Sequence, residues 1–134
     1  MTREIKFRAY SSHNHKMYPV SNIEWDLDGR IWVIADDGKN GIELMDEEAH
    51  LMQYTGLHDK NGRKIYENDV LQCTSYTYGN GETGKVNLLV KYNEMSAGFI
   101  AGPYMLGKLM DIRKCEVIGN IFENPELLEA QQHD

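Results

Sequence analysis

His13 and His15 stand two residues apart, a spacing that puts both imidazoles on one side of an extended segment and supplies half of a metal site. No neighbouring cysteine or carboxylate completes it, so a metal-dependent enzyme would need an Asp or Glu from another element. His50, His58 and His133 show no ligand spacing. Gly79-x-Gly81-x-x-Gly84 matches the dinucleotide fingerprint, in which glycines let the backbone approach a pyrophosphate at a helix N-terminus. Lys85-Val86-Asn87-Leu88-Leu89-Val90 follows it, a strand-like run that opens no helix, so a hairpin tip without phosphate is the expectation. The same glycines imitate a kinase loop, yet the chain has no His-Arg-Asp and no Asp-Phe-Gly. Asp59-Lys60-Asn61-Gly62 hints at a calcium loop. With Gly62 at the sixth position, however, Leu57 and Asn68 fall where carboxylates are required.

Cys73 and Cys115 lie in strand-like runs and allow one disulfide at most. The expectation is a pair of buried, reduced thiols acting as small hydrophobes. The segment from Met1 to Tyr10 has no apolar core of a signal peptide, and no run is long enough to cross a membrane as a helix. A cytoplasmic protein without membrane attachment, cofactor or metal is therefore expected. The usual signatures of an enzyme are absent, which leans the reading away from catalysis.

Charge is the other source of chemistry. The 134 residues hold 14 basic and 21 acidic side chains, for a net charge of −7. A chain so acidic repels phosphates, which disfavours non-specific nucleic-acid or membrane binding. Residues 1–20 carry four basic groups and one acidic, whereas residues 21–50 carry two basic and nine acidic. Asp26, Asp28, Asp36, Asp37 and Glu43 of that block are the candidate contacts for a basic protein partner. Lys85, Lys91, Arg113 and Lys114 are the candidates for a local nucleic-acid contact, with Tyr76, Tyr78, Tyr92, Phe99 and Tyr104 as aromatic surfaces for bases.

Elements to position these residues follow from a hydrophobic period of two. Ile5, Phe7 and Ala9 open the chain as a half-buried strand, and a polar turn over Ser11–Lys16 precedes a return strand at Met17–Val20. Ile23–Leu27 and Ile31–Ala35 flank Asp28-Gly29, and a second turn over Asp36–Gly41 leads to Ile42–Met45. Asp46-Glu47-Glu48 suits the start of one helical turn. Strands are expected again at Asp69–Tyr78, Val86–Tyr92, Gly98–Ala101 and Cys115–Phe122. The only sizeable helix is expected near residues 125–132, capped by Asn124 and started by Pro125. The division that results is a β-meander lobe over 1–50 and a second domain over 51–134.

Three segments carry a family resemblance. Leu51-Met52-Gln53-Tyr54-Thr55-Gly56-Leu57-His58-Asp59-Lys60-Asn61-Gly62-Arg63-Lys64-Ile65-Tyr66-Glu67-Asn68-Asp69-Val70 resembles the signature of the YopX family of small phage and prophage proteins. Arg3–Ala9 is similar to that family's start, and Glu116–Leu128 to its ending. Asn68 replaces the glycine usual before the Asp, and asparagine tolerates positive φ. The resemblance implies a mainly-β protein with an SH3-like small barrel in its C-terminal domain, made in a bacterial host. It implies no catalytic residue. The reading it leaves is a non-enzymatic interaction module that self-associates or docks a basic host or phage protein. A nucleic-acid-binding small barrel is the alternative, and a metal-dependent enzyme built on His13 and His15 is more remote.

Overall fold

A computed structural model of the chain describes residues 3–45, 47–77 and 83–129. Strand accounts for 57% and helix for 9%, which makes the class mainly β. The chain divides into two compact units, Met1–Tyr54 and Thr55–Asp134.

The first unit is an antiparallel meander. It holds β1 (Phe7–Ser11), β2 (Lys16–Trp25), β3 (Ile31–Asp36), β4 (Gly41–Met45) and the first half of β5 (Ala49–His58). Their order is β4-β3-β2-β1-β5. Alternation dictates the buried face. Ala9 lies opposite both Tyr18 and Leu51, Val33 opposite Leu44, and Ala35 opposite Ile42 and Val20. These side chains form the unit's core, with Ala9, Val33 and Ala35 fully shielded. The two short strands expected at Met17–Val20 and Ile23–Leu27 are one strand, β2, whose register shifts between Val20 and Asn22. That bulge keeps Val20 and Ile23 on the same face although they are an odd number of residues apart. Glu47 and Glu48 form a turn rather than opening a helix.

The second unit takes the rest of β5 and adds β6 (Lys64–Tyr66), β7 (Asp69–Thr77), β8 (Thr83–Asn93), β9 (Gly98–Ala101) and β10 (Tyr104–Met105). It continues with α1 (Leu106–Ile112), β11 (Cys115–Asn120) and α2 (Glu126–Glu129). Five strands form an antiparallel sheet ordered β10-β9-β8-β7-β11. Among the described residues this sheet stays open, with β10 and β11 at its ends, so the expected closed barrel is not formed. The core gathers Leu71, Leu88, Val90 and Val117 from the sheet with Leu106 and Leu109 from α1. The seven-residue α1 corrects the expectation of a single helix near the end of the chain. Leu106, Leu109 and Met110 follow an i, i+3, i+4 spacing, and docking Leu106 and Leu109 in the core holds the turn. Of the expected tail helix, Glu126–Glu129 is described. Ahead of it, the Asn124 carbonyl accepts from Leu127 N at 3.2 Å and its Oδ1 accepts from Asn120 N at 3.3 Å.

Cys73 and Cys115 face each other across β7 and β11 and are joined in a disulfide, which corrects the expectation of two thiols. Both are buried in the core, as small hydrophobes would be.

The turn between β5 and β6 is organised by one carboxylate. Asp59 Oδ1 accepts from Asn61 N at 2.9 Å and Arg63 N at 2.8 Å, and Oδ2 accepts from Val117 N at 2.9 Å. Lys60 N donates to Cys115 O at 3.0 Å. The turn thus covers the outer edge of β11, where unpaired backbone groups would otherwise lie. Burial alone would raise the Asp59 pKa. The N–H groups of Val117, Arg63 and Asn61, with the Arg63 charge, outweigh it and hold the carboxyl below its usual value. Asn68 adopts φ +68°, the left-handed conformation that glycine or asparagine accepts. Its N–H donates to Val90 O at 2.8 Å, and its carbonyl accepts from Ile121 N at 2.9 Å.

Candidate docking groove of the first unit

The groove arises because β2 is longer than its neighbour. The β2–β3 ladder begins at Val20 opposite Ala35, so Lys16–Pro19 run past the end of β3. The β3–β4 turn sits beside this overhang. Between them lies an open groove of about 640 Å³. Met17, Tyr18, Pro19 and Ile42 give it apolar surface, Asn14 and Lys16 line one part, and Asp36, Asp37 and Gly38 another.

The acidic turn is fixed by its own backbone. Asp36 Oδ1 accepts from Gly38 N at 2.8 Å, and Asp37 Oδ1 accepts from Asn40 N at 2.7 Å and Lys39 N at 2.9 Å. These bonds stop both side chains from collapsing onto the surface. The N–H groups of Asn40 and Lys39 hold the Asp37 carboxyl below its usual pKa, and Lys16 adds a smaller pull in the same direction. Asp37 therefore stays ionised into mild acid. Gly38 has φ +97°, which the turn requires and only glycine adopts freely.

The structure separates the other acidic candidates from this pair. Asp26 and Asp28 belong to the β2–β3 turn at the opposite end of β3, six residues or about 20 Å away. That exceeds the ~8 Å screening length at physiological salt, so the acidic block acts as separate features. Asp26 Oδ1 also accepts from Trp32 Nε1 at 2.9 Å. Glu43 is exposed in the middle of the edge strand β4, opposite Ile34.

The basic candidates are divided too. Lys85 lies opposite Thr74, Thr74 N donates to Lys114 O at 3.2 Å, and Arg113 Nη1 donates to Thr74 O at 3.2 Å. Lys85, Arg113 and Lys114 therefore meet around one residue of β7. Lys91 is six residues further along β8, about 20 Å off. Tyr92 and Phe99 are cross-strand partners packed edge to face at 5.7 Å.

His13 and His15 turn to different neighbours. His13 Nδ1 lies 3.4 Å from Glu48 Oε2, an oxygen that also accepts from Ser11 Oγ at 2.8 Å. His15, at φ +59°, places Nδ1 3.3 Å from Tyr10 Oη. Among the described residues no three His, Cys, Asp or Glu side chains gather as a metal would require. Gly79 and Gly81 lie outside the described residues, as does Tyr78. Gly84 is paired within β8, so a strand follows the glycine motif where a nucleotide-binding loop needs a helix.

Sequence reasoning singled out Asp36 and Asp37 but missed Lys16, Met17, Tyr18, Pro19 and Ile42. The overhang that assembles them depends on the β2 register, for which the sequence offers only an interrupted alternation around Ser21 and Asn22.

Two antiparallel sheets, with an open, mixed-polarity groove in the first unit, define a small mainly-β protein. The chain belongs to the YopX family, whose model, described as YopX protein, matches residues 6–129. The fold is similar to that of protein EF1440 from Enterococcus faecalis, with TM-score 0.65 and 24% identity over 95% of this chain and 99% of that one. It is also similar to protein yopX from Bacillus subtilis, with TM-score 0.56 and 18% identity over 92% of this chain and 97% of that one. No curated protein matches the chain. No helix among the described residues is long and apolar enough to cross a membrane.

Proposed function

We propose that the chain is a non-enzymatic protein-interaction module, encoded by a phage or prophage and acting in the bacterial host. Its docking site is the first-unit groove, and its ligand is a protein segment with a basic side chain beside an apolar one. The observation that carries this reading is the pairing, in one groove, of Asp36 and Asp37 with the apolar surfaces of Met17, Tyr18, Pro19 and Ile42. The carboxylates supply charge for encounter and orientation, and the apolar surfaces supply burial. The nucleic-acid reading has less support. Lys91 is remote from the other three cations, and the carboxylate residue Glu116, opposite Gln72, shares a sheet face with Lys85.

A displayed random-peptide library, selected on the whole chain, tests the groove. The enriched peptides should carry Lys or Arg next to an apolar residue. Asp36→Asn with Asp37→Asn keeps the side-chain oxygens that the turn needs and removes both charges. That variant should keep its fold and bind the selected peptides about tenfold more weakly. Peptides without a basic preference, or equal binding by the variant, would overturn the reading.

A further inference from the structure

The sequence contains three Asn-Gly pairs, beginning at 40, 61 and 80, and the third lies outside the described residues. Asparagine followed by glycine is chemically labile, because no side chain shields the backbone nitrogen that can attack the amide. In a fold the reaction depends on whether that nitrogen is already engaged. Gly62 N donates to Asp59 O at 3.0 Å, and Asn61 Nδ2 donates to Glu116 Oε2 at 3.4 Å, so both partners of that pair are held. The Asp-Gly pairs of the first unit, which can react in the same way, are also closed. Gly29 N donates to Asp26 O at 3.0 Å, and Gly38 N to Asp36 Oδ1 at 2.8 Å. Asn40-Gly41 differs. Asp37 N donates to Asn40 O at 3.2 Å, which makes Asp37 and Asn40 a hydrogen-bonded pair of the β3–β4 hairpin. Such pairs alternate along an antiparallel ladder, so Asp36 and Gly41, the next pair, exchange no ladder bonds. The Gly41 N–H thus points away from β3, and β4 is the last strand of its sheet. Asn40 and Gly41 are both exposed.

We infer that Asn40 is a site of spontaneous modification, converted to aspartate and isoaspartate through attack by Gly41 N. The nitrogen loses its proton to water or hydroxide and forms a bond to Asn40 Cγ. The Cγ–Nδ2 bond breaks, and that nitrogen takes up a proton and leaves as ammonia. Water then opens the cyclic imide. Opening at one carbonyl gives aspartate, and opening at the other gives isoaspartate, whose main chain runs through the former side chain. Water is the only co-reactant, and nothing is oxidised or reduced. The aspartate product adds a carboxylate to the turn that already carries Asp36 and Asp37. The isoaspartate product also inserts a methylene into the main chain and displaces the carbonyl to which Asp37 N donates. In both cases the acidic wall of the first-unit groove changes irreversibly as the chain ages. The reaction itself does not depend on what the groove binds.

Incubation of the full chain at pH 7 and pH 9, followed by digestion in mild acid and mass spectrometry, reads each site separately. In the folded chain acid should accumulate at position 40, and faster at pH 9, because the attacking nitrogen must lose its proton. Position 61 should react roughly tenfold more slowly, since its glycine N–H must first give up a hydrogen bond. In urea the two positions should react alike. Gly41→Ala supplies a second arm. A Cβ at that position would meet nothing nearer than Ile34 Cγ2 at 3.5 Å, so the fold should survive while the added methyl group slows the attack severalfold. Equal rates at positions 40 and 61 in the folded chain would overturn the inference. So would an amide at position 40 that persists in the folded chain yet reacts in urea. A Gly41→Ala chain that keeps the wild-type circular dichroism and reacts at the wild-type rate would do the same. Should that variant not fold, the comparison of folded and urea-treated wild type decides alone.

Discussion

The Asp59 carboxylate illustrates how a residue that looks chemical in sequence becomes structural in the fold. Asp-Lys-Asn-Gly resembles part of a calcium loop, but both carboxylate oxygens accept backbone N–H bonds, from Asn61, Arg63 and Val117. Its folded pKa lies below the ordinary aspartate value of about 3.9. The charged form is therefore favoured by folding, and the stability it contributes is present above that pH. It is lost as pH falls through the unfolded value toward the folded one. Asp59→Asn keeps one acceptor and replaces the other with a donor facing an N–H group. At pH 7 it should cost about 2 kcal/mol, within the range for a charged bond lost and an amide left unpaired. The difference between urea melts of the two proteins should shrink as pH falls below the ordinary aspartate value. An equal difference at pH 7 and pH 3 would show that shape, and not the charge, accounts for the loss.

At the scale of elements, the edges of the sheets decide what the surface can do. The outer edge of β11 is covered by the Asp59 turn, whereas β4 ends the first sheet. Its centre holds Glu43, exposed and flanked by Ile42 and Leu44. A charge in that place discourages a second strand from pairing there. Glu43→Val should leave the monomer fold intact, since the side chain is exposed, while raising the rate of aggregation seen by light scattering with thioflavin fluorescence. Unchanged aggregation would mean that the edge is protected otherwise. The strand pattern was legible because each face-to-core alternation is local: Ile31–Ala35 and Ile42–Met45 read the same in sequence and in space. The helix α1 was not, because its cap residue Met105 makes no side-chain bond and Gly107 interrupts a single apolar face. Turn positions were legible from Asp28-Gly29 and Asp36–Gly41. Which turns share a surface was not, because that depends on strand length and on the bulge in β2. The five acidic candidates therefore came apart into two turns and an edge.

For the whole molecule, the disulfide and the division into two units make one joint prediction. Cys73 and Cys115 both belong to the second unit, and their bond closes a loop of 42 residues. In the chain-entropy account a loop of that length stabilises the folded state by about 4 kcal/mol, a large part of the stability of a small domain. Reduction leaves two buried thiols in an apolar setting that tolerates them, so the second unit should keep its fold with less margin. The first unit has no cysteine and its own core around Val33 and Ala35. Hydrogen exchange with and without a reductant that reaches the buried bond should therefore show faster opening in β7, β8, α1 and β11. Amides of β2 and β3 should exchange at the same rate in both states. Equal acceleration in both units would mean that the chain opens as a single cooperative body, despite its two cores. No acceleration anywhere, with reduction verified by mass, would place the bond's contribution well below the entropic value.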